Sequence, residues 1–128
     1  MQWTDWPDDV LKTLRKGVVI PASPLALDQR RNFDTRRQRA LARYYMDAGA
    51  GGIAIGVHTT QFAIRDVGLF EPVLETVARE MDLWTDKPLL RIAGLVGKTE
   101  QARREALIAR GLGYQAGFAE LGRLSRHP

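Results

Sequence analysis

The 128 residues contain no cysteine, which excludes disulfides and thiolate metal sites and fits the cytoplasmic location expected here. Histidine is nearly as scarce. His58 and His127 lie far apart and no two ligands stand at helical spacing, so neither a metal nor a cofactor is expected. No apolar run approaches the roughly 20 residues that a membrane-spanning helix requires. The opening MQWTDWPDDV carries acid and lacks an apolar stretch, unlike a secretory leader. Aromatic residues make up 8% of the chain and do not interleave with the arginines. The net charge of +4 therefore reads as solvated helix faces in RRNFDTRRQRALAR and EQARREALIAR, and no nucleic-acid partner is expected.

What is present is a regular alternation within a single domain spanning 1–128. A short helix is expected over 7–16, with Asp5 as cap, Pro7 in the first turn, Val10, Leu11 and Leu14 on one face, and Gly17 as stop. GVVIP (17–21) is a continuous β-branched run of the kind that parallel sheets bury on both faces. Asp34 or Thr35 caps a second helix running to about Ala48, with Leu41, Tyr44, Tyr45 and Ala48 as its stripe. GGIAIG (51–56) is the next strand. Pro72 fits only a first helical turn, so a helix starts near Phe70, with Phe70, Val73, Leu74, Val77 and Met81 inward. PLLRIAGLVG (88–97) holds a third strand, Thr99 caps a helix that turns Ala102, Ala106 and Ala109 inward, and YQAGFA (114–119) is a fourth strand.

The order βαβαβαβ predicts an α/β parallel sheet with right-handed crossovers. Two architectures satisfy it: a small open sheet, or the first half of an eight-stranded barrel. In both, ligands bind where strands end, which selects PASP, GVHTTQF, GLVGKT and ELGR. GLVGKT (94–99) is no phosphate cradle, because Ile92 stands where the Walker pattern needs glycine. Ser23 in PASP has neither a local base nor a nucleophile elbow, which argues against a serine hydrolase. Arg65 and Asp66 suit a local pair or a helix N-terminal contact. The tryptophans Trp3, Trp6 and Trp84 suit packing below a barrel or between helices. GVHTTQF is the chemically richest loop. His58, Thr59 and Thr60 follow the strand directly, where hydroxyls and backbone N–H groups can grip a carboxylate or phosphate, although threonines also satisfy plain turns.

VVIPASPLALD, MDAGAGGIAIGVHTTQF and PLLRIAGLVGKTEQARREALIARGLGYQAG together resemble the dihydrodipicolinate synthase / N-acetylneuraminate lyase family over residues 17–118. The resemblance implies the first half of a TIM barrel, four parallel strands with intervening helices. It also implies a class I aldolase chemistry in which a lysine forms a Schiff base with pyruvate or another 2-oxo acid. The family's Gly-Thr-Thr-Gly-Glu stretch holds the keto acid's carboxylate. Here Gly56 matches directly, Thr59 and Thr60 match with a two-residue shift, and His58 is a departure, as in a divergent subgroup. The family's lysine and proton-shuttling tyrosine fall beyond Pro128, and a further tyrosine motif has no counterpart in ELGRLSRHP. No catalytic residue is therefore expected in this chain, and Lys12, Lys16, Lys87 and Lys98 do not occupy the matching position. The expected partners are a small 2-oxo acid, and a second copy or a missing C-terminal half that covers the raw sheet edges. The chain alone is expected to be inactive. The alternative is a non-catalytic α/β module that binds a small anion at 58–60.

Overall fold

The computed structural model of the chain describes residues 7–15 and 17–119. Asp5, Trp3, Trp6, Lys16, ELGR and His127 lie outside them. Helix α1 (Asp8–Arg15) carries Asp8 and Asp9 in its first turn and Lys12 and Arg15 in its last, which suits the helix dipole. Its Val10 is buried, and the helix packs against the sheet.

Residues 18–23 run extended beside β1 (Gly52–Ile55) where a regular first strand is expected. The Gly51 and Ala54 N–H groups donate to Val19 O and Pro21 O, and the Ser23 N–H donates to Ala54 O. Only one parallel bridge forms, Ala22 with Ala54. Proline is the reason: Pro21 has no N–H to give the ladder, so the segment keeps its course but not its full bonding. The sheet proper therefore has three strands instead of four. Its order is β1, β2 (Leu90–Leu95) and β3 (Ala116–Ala119), all parallel, with Ile55 opposite Ala93 and Gly94 opposite Phe118. The described residues form this open sheet and close no barrel.

Helix α2 (Thr35–Asp47) is capped by Asp34, whose carboxylate accepts the Arg37 N–H. Its buried residues are Gln38 and Ala42; Tyr44, expected in the stripe, is exposed. The helix is rotated from the expected stripe because Gln38 is pulled inward by backbone groups of the 23–26 loop. Helix α3 (Phe70–Trp84) buries Phe70, Val73, Leu74, Val77 and Met81 as its spacing requires, with Pro72 in the first turn. Helix α4 (Thr99–Gly111) differs at its start. Lys98 takes the cap position without a side-chain bond, and Thr99 is the first helical residue. Gly97, at φ 103°, turns the chain into that position. Ala109 is buried, whereas Ala102 and Ala106 are half-buried beside a buried Glu105.

The core lies between the sheet and the helices, where Ile53, Ile55 and Ala93 meet Leu74, Val77 and Ala109. Tyr114 closes it, donating its hydroxyl to Leu74 O at 2.8 Å. Burial pushes the Tyr114 phenol well above its ordinary range, against a smaller opposing pull from Arg91. Both observations keep that hydroxyl protonated and in place.

Candidate functional site

The site begins where β1 ends. Gly56 has φ 76°, and a Cβ there would come within 3.2 Å of the Phe70 ring. Opposite it, a Cβ on Gly94 would lie 2.3 Å from Gly56 O. Gly94 thus lets the adjacent strand ends approach as a residue with a side chain could not, and Gly56 supplies the positive φ of the turn. The chain then makes a single tight helical turn, His58–Thr60, closed by Thr60 N–H to Val57 O and Gln61 N–H to His58 O, each at 3.0 Å. Gln61 sits at φ 83°, a costly conformation for a residue with a side chain. A second short turn, Phe62–Arg65, leads on toward α3.

The residues of this turn separate by role. Thr60 is wholly buried. Its hydroxyl donates to Ser23 O at 2.6 Å and accepts the Gly56 N–H at 3.1 Å, tying the first loop to the end of β1. His58 and Thr59 are exposed and line a cavity of about 360 Å³, together with Ala22, Ala54, Ile92 and Phe118 from the sheet. The His58 ring stands 5.4 Å from that of Phe62. His58 and Thr59 are the polar side chains of this lining, in a wall that is otherwise apolar. No lysine lines this cavity among the described residues.

Ser23 is buried. Its hydroxyl donates to Pro24 O at 3.1 Å and accepts from Gln38 Nε2 at 3.2 Å, and Gln38 Oε1 accepts the Ala26 N–H at 2.8 Å. Ser23 therefore braces the first loop, which agrees with its rejection as a nucleophile. Arg65 differs from its expected local pairing with Asp66. Its Nε lies 3.0 Å from both Glu105 carboxylate oxygens, and its Nη2 donates to Gly56 O and Gly94 O at 3.0 and 2.9 Å. Glu105 in turn accepts from the Val96 N–H and from Gln101. Both Arg65 and Glu105 were invisible as a pair, since 40 residues separate them.

No protein-family model matches the sequence, and no curated protein matches it. Solved structures do. The chain is similar to a dihydrodipicolinate synthase from Rhodopseudomonas palustris at a TM-score of 0.70 and 16% identity, over 80% of this chain and 33% of that one. It has the fold of part of this structure. N-acetylneuraminate lyase from Mycoplasma synoviae matches at 0.69 and 18% identity, over 80% of this chain and 35% of the other. A sialic acid aldolase from Ruminococcus gnavus matches at 0.67 and 25% identity, over 79% and 33%. The chain spans about a third of the length of the structures it matches. The resemblance read from the sequence thus reappears in the fold, and the open sheet corresponds to part of a TIM barrel.

Proposed function

We propose that this chain supplies the carboxylate-binding rim of a dihydrodipicolinate synthase-like lyase or aldolase acting on pyruvate or another 2-oxo acid. In this reading the Schiff-base lysine and the remaining strands come from outside these 128 residues, and the chain by itself is inactive. The observation that carries it is the turn His58–Thr60, which opens onto the cavity from the end of a strand in a lyase-barrel fold. Thr59 and the 57–59 N–H groups bind the keto acid's carboxylate, and His58 faces the rest of the substrate at the rim. Gly56 and Thr60 hold the shape of that rim from behind. An oxyanion is well matched by several preset N–H and O–H donors, because their orientation is fixed before binding.

In this reading the open sheet of the described residues and the apolar cavity are covered by a partner, a second copy or the completing half of the barrel. The cytoplasm is its proposed location, which the absence of disulfides fits. Titration of the ¹⁵N-labelled chain with pyruvate tests this reading. Shifts concentrated at 57–61, with an unchanged mass after borohydride, are the expected result. Shifts spread elsewhere, or a lysine labelled by borohydride in the isolated chain, overturn it.

A further inference from the structure

We propose that Arg65, held by Glu105, is the positioning residue of the His58–Thr60 turn. The inference rests on the reading of that turn as the carboxylate-binding rim and adds what sets its geometry. Arg65 reaches the turn by two routes. Through Nη2 it binds Gly56 O and Gly94 O together, so one guanidinium fixes the spacing between the ends of β1 and β2. The Gly56 N–H is in turn the donor to the Thr60 hydroxyl. The second route is aromatic. The guanidinium carbon lies 5.6 Å from the Phe62 ring centre, and the Phe62 ring lies 5.4 Å from that of His58. The guanidinium carbon also lies 4.7 Å from the Phe70 ring centre.

The clasp is anchored away from the cavity. Side-chain exposures of 6% and 7% for Arg65 and Glu105 mark a desolvated pair, and such a pair is costly unless its geometry is well satisfied. Here Glu105 spreads its charge over Arg65, the Val96 N–H and Gln101. A buried pair replaceable by apolar packing is a poor device for stability alone, whereas a planar five-donor fork is a good device for fixing several acceptors at once. Lysine in its place would keep the charge and lose the fork.

Three variants test this: Arg65→Lys, Glu105→Gln, and Tyr114→Phe as a control. Tyr114 lies in the core and outside the rim, so its variant loses a buried hydrogen bond without touching the turn. Amide hydrogen exchange of the free protein and pyruvate affinity are measured for each. Arg65→Lys is expected to speed exchange of the Thr60 and Gln61 amides about tenfold or more, with the α3 amides unchanged, and to weaken pyruvate binding by a similar factor. Glu105→Gln is expected to act in the same direction and decides the matter if Arg65→Lys does not fold. Tyr114→Phe is expected to leave turn exchange and pyruvate affinity at wild-type values. Turn amides unmoved by both Arg65→Lys and Glu105→Gln overturn the inference. So does equal loosening of the turn in Tyr114→Phe. Loosened turn amides in a protein that never binds pyruvate leave the clasp standing and sink the functional reading instead.

Discussion

The two faces of the sheet are built from the same strands and the same kinds of apolar residue, yet they differ sharply in burial. On the helix side Ile55 is 0% exposed, and Ile53 and Ala93 are sealed by α3 and its neighbours. On the other side Ala54 and Ile92 are only half-buried, and Phe118 is 60% exposed beside the cavity. Strand alternation sends every second side chain to each face, so apolar side chains stand on the open side as well as on the closed one. Parallel sheets are normally covered on both faces. Among the described residues that cover is uneven on the second face: Leu90, on the same face as Ile92, is buried, whereas Phe118 is left open. Val19, 77% exposed next to β1, makes the same point at the sheet's edge.

Substitutions on the two faces sharpen this contrast. Leu74→Ala, on the sealed side, is expected to cost about 2–5 kcal/mol in urea unfolding, because a fully buried side chain leaves a cavity behind. Thr60→Val comes next at about 1–3 kcal/mol, since Ser23 O and the Gly56 N–H each lose a buried partner. Tyr114→Phe is expected to cost about 1 kcal/mol near neutrality. Its pH dependence follows from the raised phenol. A group whose folded-state pKa exceeds its ordinary 10.0 contributes fully below that value and loses its contribution as pH rises above it. The wild-type chain should therefore lose stability above about pH 10, and the phenylalanine variant should lose less. Phe118→Ser, on the open side, is expected within about 0.5 kcal/mol of wild type, the ordinary range for an exposed position. A cost equal to that of Leu74→Ala, measured at concentrations dilute enough to keep the chain single, would break the comparison, since it would mean that the chain's own residues already pack the open face.

Much of the fold was legible because its signals are local. The stripe of α3, the Asp34 cap and the order of strands and helices depend on neighbours a few residues away, which a sequence displays directly. The first segment departs from the regular strand that its β-branched composition predicts, because Pro21 removes an N–H from the ladder. The face of α2 departs from its apolar spacing for a different reason. Gln38 is buried by bonds to Ala26 and Ser23, 12 and 15 residues away, and no periodicity announces such partners. At the candidate site, His58, Thr59, Thr60 and Gly56 were all marked by residue type and by their position after a strand. Which of them turn outward was not legible. Thr59 and Thr60 are adjacent and chemically identical, and only the tight turn leaves Thr59 lining the cavity and sends the Thr60 hydroxyl to Ser23 O.

The mass of the chain in solution, followed by sedimentation over a wide range of concentration, tests the open face most directly. A sheet face with exposed apolar residues should associate, giving masses at multiples of the single chain that rise with concentration. A sharp single-chain mass at high concentration, with no tendency to self-associate, would contradict the account.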